Sequence, residues 1–268
     1  MKKTAGFILL FYLLVGLFAP YIAPYEPHAR PSLPFQKPSR EHLLGTNDLG
    51  NDIFSELVYG TRVSLLVGGL TGLLAVTFGL FFGVLGGYWS GWAETIILRL
   101  IDFCMVIPFI PLLILLSVYL KPGYGKMILI MSALFWAPTA RILRSQILSL
   151  KQRPFVEAAL CLGASPLYIL RHYLLPHLWP LCWAQLVYQA SRAILLEASL
   201  SFLGLGNPLQ KSWGTILYYA QARHAFLTDA WLWWILPPGL LTAGLVIAMN
   251  LYGSNLEAGI DPRRKGSA

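Results

Sequence analysis

Charge is what this chain most lacks. Only 12% of its 268 residues are Asp, Glu, Lys or Arg, whereas 56% are hydrophobic, and the mean hydropathy is +0.61. A soluble domain carries about twice that charged fraction. The shortage excludes a soluble helical bundle, whose helices need polar faces toward water, and points to a polytopic membrane protein. Cysteine is scarce as well: Cys104, Cys161 and Cys182 are widely spaced and form no CxxC pair. That spacing excludes a disulfide framework and a thiolate metal site, and leaves free thiols. A phosphate-binding loop of the GxxxxGK[ST] type is also missing. Gly123-Tyr124-Gly125-Lys126 has neither the spacing nor the following hydroxyl. No internal repeat or low-complexity tract is present.

Long apolar runs fill the space that charge leaves. Six segments, at about 4–24, 62–87, 94–119, 126–148, 176–200 and 230–252, approach or exceed the length of a spanning helix, about 20 residues. They predict an all-α fold with six transmembrane helices. The formal net charge of +8 makes no nucleic-acid stripe, because the basic residues gather at segment ends. Lys2 and Lys3 precede the first segment. Arg141, Arg144, Lys151, Arg153 and Arg171 surround the connection between the fourth and fifth, and Arg263, Arg264 and Lys265 close the chain. With an even number of crossings all three clusters share one side, cytoplasmic by the positive-inside rule, and both termini lie there. The outer side then holds 25–61, a turn at 120–125, and 201–229. The run from Thr4 to Tyr25 is long enough to span and ends among prolines, so it reads as a retained anchor and not a cleaved leader.

These segments divide the chain into an N-terminal helix with an external stretch (1–61), a five-helix core (62–254) and a tail (255–268). In the external stretch Thr46, Asn47 or Asp48 is placed to cap a short interfacial helix running toward Tyr59. Within the apolar runs, Arg99 and Asp102 stand three apart and could pair on one helix face. Arg192 and Glu197 stand five apart, so at least one must turn to another helix. His172, His177 and His224 are read as solvated side chains, since their spacing suits no ligand set. Trp231, Trp233 and Trp234 form an interfacial belt, and Pro108, Pro111, Pro138, Pro237 and Pro238 are expected to kink helices.

One polar insert, 149–175, interrupts the apolar pattern. Pro154 can open a helix, and Glu157 in its first turn suits the positive end of the dipole. Ala158 and Ala159 give a small-residue face, Gly163 permits a sharp turn, and Ser165-Pro166 starts a second short helix that runs to Leu175-Pro176. Two short helices joined at a glycine make a knob suited to a groove in a partner, and an ordinary amphipathic surface loop is the alternative that spacing alone leaves open.

The residues from 157 to 176 resemble the EAA signature of permease subunits of ATP-binding-cassette importers: Glu157-Ala158-Ala159, then Gly163, then Leu175-Pro176 in register. Tyr173 replaces the usual aliphatic residue. The resemblance narrows to the "C" subunit of the peptide/nickel permease group. Residues 44–52 are similar to its LGTDDLGRD and 59–65 to its YGARVSL. Residues 196–206 are similar to LEASLSFLGLG with Ser212-Trp213-Gly214 following, and Asp261-Pro262-Arg263 to its closing DPR. Asn51 and Glu56 stand where arginine is common, and Ser254 where aspartate is usual. The resemblance implies a type I importer permease fold in a prokaryotic cytoplasmic membrane. The loop with Glu157, Ala158, Ala159, Gly163, Ala164, Ser165, Leu175 and Pro176 would be the coupling helix that docks on an ATPase. It further implies a homologous second permease subunit, two ATPase subunits that bind ATP and Mg in place of this chain, and an external substrate-binding protein. Peptides are the implied cargo, with nickel or a nickel chelate as the alternative.

Two other classes fit less well. An intramembrane serine protease needs a base facing its nucleophile within the bilayer, and no membrane-embedded histidine is available to Ser165. A self-contained channel or ion-coupled carrier would place ionisable groups at mid-membrane, whereas here they cluster near segment ends.

Overall fold

The computed structural model describes residues 2–27, 29, 32–89, 91–119, 123–208 and 210–258. The DPR segment at 261–263, the basic residues Arg263, Arg264 and Lys265, and positions 120–122 of the expected 120–125 turn lie outside them. Every apolar segment becomes helix, and among the described residues the only sheet-like pairing is an isolated bridge between Thr46 and Asp52.

The first segment forms α1 (Lys2–Leu17) and a short α2 (Ala19–Ile22). One span over 4–24 was expected; Pro20 has no amide hydrogen to continue the ladder, and the chain turns at Phe18 instead. Helix α3 (Ile53–Tyr88) is 36 residues long, about 54 Å at the helical rise. The expected interfacial helix ending near Tyr59 is therefore the first part of this one continuous helix. Its cap also differs from the expected Thr46, Asn47 or Asp48. Asp52 accepts a hydrogen bond from the Ser55 backbone N–H at 2.8 Å, while Asn47 Oδ1 accepts the N–H groups of Leu49 and Asn51 in a turn.

The third segment breaks into α4 (Trp92–Val106) and α5 (Phe109–Tyr119), bent by 78°. Ile107 has the extended backbone that a residue before proline prefers, and Pro108 removes the amide that would bridge the break. Helix α6 (Tyr124–Lys151) carries Pro138 without interruption. After the insert come α9 (Leu175–Phe202), α10 (Trp213–Ala222), α11 (Trp231–Trp234) and α12 (Leu236–Ala258). Among the described residues α3, α6 and the α11–α12 stretch are each long and apolar enough to cross a membrane, and the bent α4–α5 pair is a fourth such unit. Helix α9 is as long as α6 but holds Gln185, Gln189 and Glu197, all buried in the bundle.

Helix α3 is the central post, packed against α6 and α9, with α12 behind α9 and α1 across α3 and α12. Its glycines set the spacing. A Cβ at Gly72 would lie 2.8 Å from the Leu186 carbonyl oxygen, and one at Gly79 would lie 2.6 Å from the Thr139 side chain. Small residues let helix backbones approach in lipid, where no hydrophobic force drives helices together.

Among the described residues the charges pair between helices and not along them. Asp102 takes Arg141 of α6, so the expected Arg99–Asp102 pair does not form. Arg144 bonds Glu94 and, through Nε, the Gly86 carbonyl at 2.9 Å. A guanidinium on a long stem reaches across the α4–α6 contact more easily than it folds back one turn. Arg192 lies over the rings of Phe109 and Phe135, 5.1 and 4.6 Å from their centroids. Glu197 Oε1 accepts hydrogen bonds from the hydroxyls of Ser201 and Ser212, both at 2.7 Å, and the second ties α9 to the start of α10.

Candidate functional site

The insert begins where α6 ends at Lys151. Arg153 leads into α7 (Pro154–Cys161), with proline at its start and Glu157 in its first turn. Gly163 then adopts φ +79°, a left-handed conformation open to glycine. Its N–H donates to the Leu160 carbonyl at 2.9 Å, and the Ala164 N–H to the Ala159 carbonyl at 3.0 Å. These are the two bonds of a Schellman stop. The Ser165 hydroxyl accepts from the Tyr168 N–H and caps α8 (Pro166–Ile169). A π-helical turn, Leu170–Leu174, joins α8 to α9. Pro176 lies just beyond it and has no N–H to give the ladder, so the register slips one residue where the bond would be lost.

One face of the insert is rooted in the bundle. Val156, Ala159, Ile169, Leu170 and Leu174 are buried with Leu143, Ile147 and Leu150 of α6. Two polar links reach the end of α3: the Tyr88 hydroxyl donates to the Pro166 carbonyl at 2.8 Å, and Lys151 Nζ donates to the Tyr88 carbonyl at 3.0 Å. The other face is bare. Leu162 is 88% exposed and Leu167 70%, with Leu160, Tyr168, Glu157 and Ala158 also exposed. A fixed base under an uncovered apolar tip can transmit a push without deforming, because packed cores resist compression.

All eight residues singled out from the sequence fall in this unit. Glu157, Ala158, Gly163 and Ser165 lie on its exposed side, Ala159 faces the bundle, and Ala164 and Leu175 are half-buried, with Pro176 at the entry to α9. The sequence did not mark Tyr88 and Lys151 as its anchors. Their contacts span 78 and 63 positions, and no local pattern encodes such a distance. His172 stacks on Tyr168 at 4.2 Å, and His177 on Phe155 at 5.1 Å. Among the described residues no group of three His, Cys, Asp or Glu side chains is placed to hold a metal.

At the opposite end of α3 a buried polar cluster binds the stretch before α3 to the loop before α10. Glu56 Oε1 accepts from Lys211 Nζ at 2.9 Å, Asn47 Nδ2 at 2.9 Å and Asn51 Nδ2 at 3.2 Å. His42 Nδ1 and Asp52 Oδ1, 3.0 Å apart, lie beside it.

The chain's residues 75–266 match the family model described as binding-protein-dependent transport system inner membrane component. It belongs to that family. This permease is similar over nearly its whole length to curated proteins. It is 33% identical to the dipeptide transport system permease protein DppC of Bacillus subtilis, across 96% of this chain and 80% of the relative. It is 34% identical to the di/tripeptide transport system permease protein DppC of Pseudomonas aeruginosa, across 100% of this chain and 90% of the relative. Its fold is similar to that of a chain of the inward-facing MetNI methionine ABC transporter. The TM-score is 0.60 at 20% identity, covering 77% of this permease and 96% of that chain. The fold is thus that of a type I importer permease, and the permease is the membrane component of a system with ATPase and substrate-binding partners.

Proposed function

We propose that this permease is one membrane half of an ATP-driven importer of short peptides, and that its α7–α8 knob receives the ATPase's motion. The observation that carries the reading is the uncovered apolar tip, Leu160, Leu162 and Leu167, held on a buried base beneath Gly163. Apolar surface exposed on a polar insert marks an interaction site, and a groove of the ATPase is the partner proposed for it. Glu157 and Ala158 present the exposed flank of α7 to the ATPase. Ala159 lets α7 sit close on the bundle, Gly163, Ala164 and Ser165 set the turn, and Leu175 and Pro176 pass the motion to α9. The chain itself is non-catalytic; ATP and Mg belong to two ATPase subunits, which alternate the bundle between inward-open and outward-open packings.

In this reading a homologous second permease subunit completes the path, and an external binding protein delivers the cargo. The chain crosses the cytoplasmic membrane several times, with both termini inside. Peptide cargo is supported by the names of the relatives, which are those of dipeptide and di/tripeptide systems, and these do not favour nickel. The test is reconstitution in liposomes with the partner subunits, following uptake of a labelled dipeptide. Uptake should require both the ATPases and ATP, and the Gly163→Asp variant should insert and hydrolyse ATP while uptake falls about tenfold, the effect of about 1.4 kcal/mol on coupling. Uptake by this chain alone, indifferent to ATP, would sink the importer reading.

A further inference from the structure

An open recess of about 580 Å³ lies at the end of α3 opposite the knob, between the first turns of α6 and the 207–211 loop. That volume is within the range of small-molecule sites, roughly 300–1,000 Å³. Tyr59, Arg62, Tyr124, Asn207, Gln210 and Lys211 contribute to its wall. The wall is braced, because the Tyr124 hydroxyl donates to the Gln210 carbonyl at 3.1 Å. Of its two cations, Lys211 is already spent: it pairs with buried Glu56 at 2.9 Å and lies over the Tyr219 ring at 4.6 Å. Arg62 is exposed and has no hydrogen-bonding or ionic partner among the described residues. The recess therefore holds one uncompensated guanidinium, whose planar fork matches a carboxylate.

The recess opens onto a face of α3 that the rest of the chain leaves uncovered. Arg62, Leu66, Leu70, Leu73 and Thr77 follow each other at helical spacing and are all exposed. Farther along that face Leu73, Thr77 and Leu80 line an apolar cleft of about 170 Å³ with Trp179 and Trp183 of α9. From Tyr59 to Leu80 the face runs about 30 Å at the helical rise, close to the thickness of the hydrocarbon core. A single face thus joins a mixed mouth that carries one open cation at one end to an aromatic cleft near the other.

We propose that Arg62 receives the C-terminal carboxylate of a short peptide released from the binding protein, and that the peptide then moves along this face of α3. The inference rests on the peptide-importer reading above. Every short peptide carries that carboxylate whatever its side chains, so one guanidinium in a roomy recess of mixed lining recognises the class and not the sequence. Gln210, exposed in the same wall, offers its side-chain amide to the peptide backbone. A phospholipid phosphate or an acidic side chain of the second permease subunit would also suit a guanidinium, and the experiment separates these from a peptide.

The complete transporter is reconstituted in liposomes with its binding protein loaded with a dipeptide carrying a benzophenone side chain. Uptake and photo-adducts are then measured in parallel for wild type, Arg62→Gln and Arg62→Lys. The wild type should give an adduct within 59–66. Arg62→Gln should lower both adduct and uptake about tenfold, the factor equivalent to about 1.4 kcal/mol, while the assembled complex and its basal ATP hydrolysis persist. Arg62→Lys should fall between. Uptake lost with adduct yield unchanged assigns Arg62 to lipid and overturns the proposal. A complex that dissociates on Arg62→Gln assigns it to the partner subunit and overturns it equally. Wild-type uptake that Arg62→Gln leaves unaltered overturns this inference alone, whereas no ATP-dependent uptake by the wild type removes the importer reading beneath it.

Discussion

Glu56 shows how a residue-scale departure from a family pattern is absorbed. Its carboxylate is 1% exposed, and Lys211, Asn47 and Asn51 all donate to it. Asn51 and Glu56 stand where arginine is common in the resembling group, so the sequence flagged both positions. It did not name Lys211, which lies 155 residues farther along and meets Glu56 only when the 207–211 loop folds onto α3. Removing one partner of a buried pair strands the other without water, at a cost of about 3–5 kcal/mol, while removing both costs far less. Lys211→Met should therefore destabilise the purified permease by about that amount, and Glu56→Gln combined with Lys211→Met should recover much of the loss. Thermal unfolding in detergent measures both. Equal losses in the single and double variants would show that the pair is not what stabilises the cluster.

At the scale of elements, the helices follow local rules and their contacts do not. Asp52 caps α3, the Ile107-Pro108 step separates α4 from α5, and Gly163 stops α7, each from residues within a few positions. The knob's first helix and its glycine stop were legible for that reason. The second helix, expected to run to Leu175-Pro176, is instead the four-residue α8, which passes through the π turn into α9. The continuity of α3 was not legible. Its first two turns, residues 53–59, read in the sequence as part of a separate interfacial helix because the polar residues before Tyr59 resemble a surface segment. They are buried instead, against a loop that sequence order does not bring near. Glycine roles are similarly contextual. Gly69 and Gly72 are three apart in one helix, yet a Cβ at Gly69 meets nothing within 4 Å, whereas one at Gly72 lies 2.8 Å from a backbone oxygen of α9. Gly72→Ala should lower the melting temperature by forcing α3 and α9 apart. Gly69→Ala should leave it unchanged or raise it slightly, since alanine is favoured over glycine in a helix by about 1 kcal/mol. Equal behaviour of the two variants in the same melting assay would contradict this packing.

For the whole molecule, the exposed apolar surface is the organising fact. Phe7, Trp92, Phe103, Val106 and Tyr119 are each more than 60% exposed, which lipid explains for these apolar helices; the proposed ATPase contact would cover the knob. Native Cys161 sits at the exposed end of α7, while Cys182 is buried and Cys104 is half-covered. In a Cys104→Ser background a membrane-impermeant maleimide should label Cys161 in inside-out vesicles and not in right-side-out ones, and added ATPase subunits should protect it. Labelling from the outer side would reverse the proposed orientation.

The sequence by itself determined the class of this protein. A low charged fraction and six long apolar runs leave no soluble solution, and the register of Glu157, Gly163 and Pro176 marks the knob, because caps, stops and hydrophobic length are properties of neighbouring residues. Only the tertiary structure decided which charges pair, that α3 runs unbroken from the polar cluster to the knob, and that Tyr88 and Lys151 anchor the tip. It also decided that Arg62 stays open at a recess while Lys211 beside it is spent. Each of these depends on side chains brought together from distant parts of the chain, and the energy of such a meeting is set by burial that no local pattern records.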